Sequence, residues 1–161
     1  MATEARENTV AAVQSASTVT ELIEVLWGRG RAVASAPVSP SQLKVLFVLE
    51  EEDGVSLRNV TERLGSTAPS TSRLCDRLQA VGFVHRTASP NSRRELRLYL
   101  SESGRLFLRD LRRRRESELS RVIDQMPPQS VAMLLEGLTA FRDAAERTSA
   151  GGADPRPPHG V

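Results

Sequence analysis

The stretch from Ser56 to Gly82, SLRNVTERLGSTAPSTSRLCDRLQAVG, decides how this chain is read. Ser56 can cap a helix, Leu57, Val60 and Leu64 share one face of it, and Gly65 stands where a helix ends in a left-handed turn. Shortly afterwards Thr67 can cap a second helix with Pro69 in its first turn, running to about Val81 and stopped by Gly82. Thr71, Leu74, Cys75 and Leu78 recur along it at the spacing of one buried helical face. The opposite side shows Ser66, Pro69, Ser70, Arg73 and Arg77. Two helices joined by so short a turn form a helix-turn-helix. Small residues at the start of its second helix let the backbone approach a DNA major groove, and an arginine there can reach guanine edges or phosphates. Ser66, Thr67, Pro69, Ser70 and Arg73 meet that requirement, and Arg77 suits a phosphate. An ordinary amphipathic helix with a wet outer face carries the same pattern, so this helix alone does not decide the matter.

The next eighteen residues, FVHRTASPNSRRELRLYL from Phe83 to Leu100, change the period from helical to alternating. Phe83 to Thr87 reads as a short strand. Leu96, Leu98 and Leu100 then alternate with Glu95, Arg97 and Tyr99 in a second strand. The turn-rich segment Ala88 to Arg93 joins them into a hairpin whose tip gathers Asn91, Arg93 and Arg94, with Arg86 and Arg97 flanking it. An arginine on a narrow projecting loop can enter the minor groove, where the potential is most negative. A solvated hairpin with incidental charge is the bland alternative. A helix-turn-helix followed by a basic hairpin is more specific than either piece, and the order predicts a winged helix-turn-helix domain over residues 37–101.

Outward from this centre the chain reads as helix on both sides. Ser39, Pro40 and Gln42 form a capping box ahead of a helix from Pro40 to about Glu52, with Leu43, Leu46, Phe47 and Leu49 as its buried side. Before it, residues 9–36 read as helix, with Val19, Leu22, Ile23, Leu26 and Trp27 at helical spacing. After the hairpin, Ser101 caps a long helix to about Met126, broken by Pro127-Pro128, and a last helix runs from Pro128 to about Arg147. Residues 1–8 and 149–161 are expected to be disordered, the latter on its Gly and Pro content. The outer helices, residues 9–36 and 102–148, have apolar faces that so short a chain cannot cover alone. Val19, Leu22, Ile23, Leu119, Val122, Leu134, Leu138 and Phe141 are therefore expected to bury against the same helices of a second copy, as a homodimer. The fold class expected is mainly α with a small β-hairpin wing.

Charge follows the same organisation. The 161 residues carry a net charge of +2, yet residues 58–115 hold 14 basic and 5 acidic side chains between two acidic flanks. All but one of the 22 basic residues are arginine, Lys44 being the exception. Such a middle suits a polyanionic partner, here double-stranded DNA; a codon bias favouring arginine would produce the same excess. No apolar run approaches membrane-spanning length, and MATEAREN lacks the apolar core of a secretory signal, so no membrane association and a cytoplasmic location are expected. The single cysteine excludes an internal disulfide and any multi-cysteine zinc site, and no metal or cofactor site is expected. Cys75 and His85 are the one pair that could suggest an enzyme. No orienting acid accompanies them, so the chain is not read as an enzyme. Cys75 lies on the inward stripe, as a buried inert thiol rather than a redox switch. The run Arg112 to Arg115 could touch DNA backbone or form ion pairs with Glu116 and Glu118.

The sequence from Leu64 to Gly104 resembles the MarR family of bacterial transcriptional regulators. The resemblance is carried by Ser39-Pro-Ser-Gln42, Val60-Thr-Glu-Arg-Leu-Gly65, Ser70-Thr-Ser-Arg-Leu-Cys-Asp-Arg-Leu78, Gly82-Phe-Val-His-Arg86, Ser92-Arg-Arg94 and Leu98-Tyr-Leu-Ser101-Glu-Ser-Gly104, and extends over roughly residues 20 to 145. It implies a dimer joined through the first and last helices, repression from palindromic sites, and, in many members, release of DNA on binding a small aromatic or phenolic effector. A winged-helix protein that senses no ligand, or acts through a partner protein, is the alternative. One departure stands out. The family's wing carries an aspartate two residues before its arginine, and Ser92 holds that place before Arg94. The resemblance thus implies a wing arginine without its ion pair, a more mobile wing and a weaker minor-groove readout.

Overall fold

The computed structural model describes residues 2–31, 38–89 and 92–151. In chain order these form α1 (Ala2–Arg31), α2 (Pro40–Glu51), β1 (Val55–Ser56), α3 (Leu57–Leu64), α4 (Ala68–Ala80), β2 (Val84–Ser89), β3 (Ser92–Leu100), α5 (Glu102–Ile123) and α6 (Pro128–Gly151). The expected fold class holds: helices dominate, and the three strands make one small antiparallel sheet in the order β1-β3-β2. The chain divides into two compact units, Met1–Glu118 and Leu119–Val161, with the division inside α5.

The capping signals act as the residue types require. Ser39 Oγ accepts from the Gln42 amide at 3.2 Å, and Gln42 Oε1 accepts from the Ser39 amide at 2.8 Å, closing the box that starts α2. Ser56 Oγ accepts from the Asn59 amide at 3.2 Å and starts α3. Gly65 ends α3 at φ 57°, a left-handed conformation that costs any Cβ-bearing residue about 1–2 kcal/mol. The chain reverses there within two residues and enters α4.

One apolar cluster holds the first unit together. Val45, Leu46 and Leu49 of α2, Val55 of β1, Val60 of α3, Cys75 and Leu78 of α4, Val84 of β2, Leu98 and Leu100 of β3 and Leu108 of α5 are all buried in it. Phe83 stacks on Phe107 with centroids 4.8 Å apart, closing the side where α4 gives way to the wing.

Several boundaries differ from expectation. Residues 2–8 are helical rather than disordered, because Ala2, Ala5, Glu4, Arg6 and Glu7 are good helix formers continuous with the apolar-periodic part of α1. α1 is described as far as Arg31, and the remainder of the expected 9–36 segment lies outside the described residues. At the other end α6 continues to Gly151, into the tail expected to be disordered, and residues 152–161 lie outside the described set. The long helix stops at Ile123, three residues early, with Asp124 to Met126 in a turn before the proline pair. The hairpin strands are longer than expected. Ser89 pairs with Ser92 beyond a bulge at Ala88, which draws the backbone of Ser92, Arg93 and Arg94 into β3. Leu96 shares the parity of Leu98 and Leu100 yet is 51% exposed, since the wing has run past the helices that cover the other two. β1 is an added feature: Val55 pairs with Leu98 and Ser56 with Arg97, giving β3 a partner on each edge.

A carboxylate on α2 ties this core to α5. Arg112 Nη1 donates to Glu50 Oε1 at 2.8 Å, and its second nitrogen meets the other oxygen, a bidentate pair. The hydrogen bonds from Arg112, ahead of its charge and those of Arg105 and Arg109, hold the Glu50 carboxyl below its ordinary value despite partial burial. A carboxyl depressed in the folded chain contributes stability above its unfolded pKa, and that contribution disappears as pH falls through the folded one. Arg112→Gln is therefore expected to lower the melting temperature at pH 7, with the two proteins converging once pH has fallen well below about 4, the ordinary glutamate range. A melting difference that did not shrink on acidification would remove the pair from the acid limb of stability.

Candidate nucleic-acid interface

The turn at Gly65 places Ser66 and Thr67 in front of α4. Gly65 donates to the Glu62 carbonyl at 3.1 Å and Ser66 to the Thr61 carbonyl at 3.2 Å, so the end of α3 is satisfied within the turn itself. Thr67 is extended and its carbonyl accepts from the Thr71 amide at 2.9 Å. Its hydroxyl makes no capping bond, contrary to the side-chain cap expected there. Pro69 in the first turn has no N–H to satisfy, which suits that position.

The two sides of α4 separate cleanly. Thr71, Cys75 and Leu78 are fully buried. Ser66, Thr67, Ala68, Pro69, Ser70, Arg73 and Arg77 are exposed. Arg73 and Arg77 form no ion pair with any described residue. Burial raises the Cys75 thiol above its ordinary value, with nearby Arg86 acting in the opposite direction, so the sulfur sits as a neutral core group. His85 is exposed on β2 and stacks on Tyr99 at 5.3 Å with the rings 10° from parallel. The thiol and the imidazole thus occupy different environments, one in the core and the other on the wing face.

The wing cations divide by task. Sequence places Arg86 with the DNA-facing residues, but its guanidinium pairs with Asp76 of α4 at 2.7 Å. Alternation along a strand fixes a face and not a partner, which is why sequence did not reveal the pair. Asp76 itself carries a signal that could have found it. A carboxylate between Arg73 and Arg77 on a helix meant for a polyanion needs a neutralising partner. Arg97 Nη1 donates to the Gly54 carbonyl at 2.8 Å and fastens β3 to the chain just before β1. Asn91 and the side chains of Arg93 and Arg94 lie outside the described residues, as does the side chain of Ser92; the backbone of Ser92 to Arg94 belongs to β3.

Ion pairs take up part of the basic middle of the chain. On α5 four arginines meet carboxylates. Arg109 bonds Glu102 at 3.0 Å, Arg105 lies 3.7 Å from Asp53, Arg112 pairs with Glu50, and Arg113 pairs with Asp110. Arg115 lies over the Trp27 ring, 4.2 Å from its centroid. Within the run Arg112 to Arg115, Arg112 thus pairs with Glu50 and also feels the charge of Glu116, Arg113 pairs with Asp110, and Arg115 adds an aromatic contact. Arg73 and Arg77 of α4 keep no ion-pair partner among the described residues, and Arg114 of α5 and Lys44 of α2 are likewise exposed without one.

The helices outside this domain keep apolar side chains in solvent. Val19 and Leu22 of α1, Val122 of α5, and Leu138 and Phe141 of α6 are exposed, and Ile23, Leu119 and Leu134 are only partly covered. Val10 and Val13 extend the exposed set along the part of α1 that sequence did not assign to a helix face.

A sequence model of the MarR family matches residues 36–95. The chain is 29% identical over 109 residues to YfiV of Bacillus subtilis, named an uncharacterized HTH-type transcriptional regulator, with 68% of each chain covered. It is 29% identical over 90 residues to the transcriptional repressor MprA of Escherichia coli, and spans 51% of that protein's length. Among solved structures, RV1404 from Mycobacterium tuberculosis is similar with a TM-score of 0.73 at 27% identity, covering 88% of this chain and 92% of that one.

Proposed function

We propose that the chain, which matches the MarR family over residues 36–95, is a member of that family of transcriptional regulators and a cytoplasmic homodimeric repressor that binds a pseudo-palindromic duplex. The observation that carries this reading is the outer side of α4: small polar residues at its start, followed by two arginines without ion-pair partners among the described residues, opposite a fully buried stripe. In this reading Ser66, Thr67, Pro69 and Ser70 let α4 into the major groove, Arg73 meets a base edge and Arg77 a phosphate. Asn91, Arg93 and Arg94 act from the wing on the adjacent minor groove. Arg86 is withdrawn from the direct contacts, since Asp76 holds it.

Dimerisation is the second part of the proposal. Val19, Leu22, Val122, Leu138 and Phe141 leave apolar surface in water that an isolated chain has no use for, and an isologous pairing of two copies would cover it. Ile23, Leu119 and Leu134 belong to the same proposed interface. Response to a small aromatic effector is the regulatory part. It is favoured by Trp27 and Arg115, which place a buried indole N–H, without a hydrogen-bond partner among the described residues, beside a guanidinium between α1 and α5. No catalytic role is assigned to any residue.

Selection of bound duplexes from a random pool tests the whole reading. The expected outcome is a two-fold symmetric motif whose half-sites are centred about 10–10.5 base pairs, one helical turn, apart. Recovery of no motif at low salt, or of a single unrepeated half-site, would overturn it.

A further inference from the structure

α4 carries one anion among its outward residues, and electrostatics alone would argue against keeping it. Asp76 has a 55% exposed side chain on the helix whose neighbouring Arg73 and Arg77 face solvent. Each uncompensated carboxylate near phosphates opposes the counterion release that drives binding. The carboxylate is compensated by Arg86, 2.7 Å away, whose own side chain is only 24% exposed.

The location of that arginine matters more than its charge. Arg86 sits in the middle of β2 and is paired across the hairpin with Leu98. The base of the wing is already fastened: the Phe83 amide donates to the Leu78 carbonyl at 2.9 Å, the Ser101 amide to the Phe83 carbonyl at 2.9 Å, and Ser101 Oγ to the Gly82 carbonyl at 2.6 Å. The far edge of the ribbon is held too, where β1 pairs with Leu98 and Arg97 and Arg97 bonds the Gly54 carbonyl, but that edge is tied to the chain before α3 and not to α4. Arg86 lies three residues beyond Phe83, roughly 10 Å along the strand. The Asp76 attachment there ties the β2 edge directly to α4, and so couples that helix to everything distal on the wing, which includes Arg93 and Arg94.

We propose that Asp76 and Arg86 form a strut that sets the angle between α4 and the wing, so that the wing arginines reach the minor groove when Arg73 meets its base in the major groove. Both are positioning residues, and the proposal rests on the DNA-binding reading above. Its sign separates it from simple electrostatics. Removing an acid close to DNA adds a net positive charge, which by itself tightens binding and steepens the salt dependence. Loss of a strut weakens binding, because one groove contact is then made at the expense of the other.

The test uses the full-length protein and the duplex recovered by selection. Asp76→Asn is expected to weaken binding about tenfold and to lose hydroxyl-radical protection at the wing's minor-groove positions, while major-groove protection under α4 is retained. Arg86→Gln should give a similar loss, and the double variant should be no worse than either single one, because both remove the same link. Direct contact of Arg86 with DNA would instead make the losses add. Asp76→Glu should restore part of the affinity, a rescue that a general loss of folding would not give, and the exchange Asp76→Arg with Arg86→Asp should bind better than either single reversal. Unchanged or tighter binding by Asp76→Asn, or intact wing protection, would overturn the strut and leave the DNA-binding reading standing. A wild-type protein that ignores every duplex at low salt would overturn both.

Discussion

Gly104→Ala is expected to destabilise the chain by about 3 kcal/mol, at the upper end of what overpacking usually costs. Gly104 lies in the first turn of α5 and is buried. Taken as a helix position alone, the change should help, since alanine is about 1 kcal/mol better than glycine there. Space decides otherwise. A Cβ at this position would collide with the Phe83 carbonyl and lie 2.7 Å from Leu100 Cδ1. The carbonyl is poorly placed to yield, because it accepts the Ser101 amide at 2.9 Å, and Ser101 Oγ in turn bonds both the Gly82 carbonyl and the Gly104 amide, at 2.6 and 3.0 Å. Phe83 is also stacked on Phe107. Relief would require α5 and the start of β2 to separate, opening the core around Leu100 and Leu108. Thermal unfolding should register this as a drop of roughly 10 °C. Equal or raised stability would show that this knot is looser than its bond lengths indicate.

Arg73→Ala should have the larger effect on binding, with little on stability. The side chain is exposed and bonds no described residue, so its loss leaves the core untouched. A good bidentate arginine–guanine contact is worth about 1–3 kcal/mol of discrimination. The proposed two-fold dimer would lose the contact twice, so affinity for the selected duplex should fall roughly a hundredfold or more, with preference relaxed at one base pair in each half-site. Arg77→Ala provides the contrast. As a phosphate contact it should weaken all duplexes alike and reduce the salt slope by about 0.9 for each phosphate released. Competition binding over single-base variants, repeated at several salt concentrations, measures both. If Arg73→Ala kept the full base preference, the residue would have to be reassigned to the backbone.

What was legible in the sequence was whatever is encoded locally. The stripe of Thr71, Cys75 and Leu78 and the capping pair Ser39 and Gln42 each depend on residues within a few positions, and the structure realises them. Gly65 belongs with them, at φ 57°. The period change after Gly82 announced the hairpin in the same way. What escaped was set by contacts distant in the chain. β1 is two residues long and exists only because Val55 and Ser56 meet Leu98 and Arg97. Leu96 has the parity of a core residue but lies beyond the helices that would cover it. Glu50 and Arg112, 62 residues apart, find each other only once α2 and α5 are packed.

The side chains of α4 follow the same division. Amino-acid order by itself determined that this helix has a buried and an exposed side and that arginines lie on the latter, because helical periodicity is a property of neighbouring residues. Only the tertiary structure decided which arginines remain available and which are consumed. Arg86 is drawn onto Asp76 and Arg97 onto the Gly54 carbonyl, while Arg73 and Arg77 keep solvent around them. A charged side chain takes the oppositely charged or polar group that folding brings within reach, and that geometry is not written in the spacing of residues along the chain.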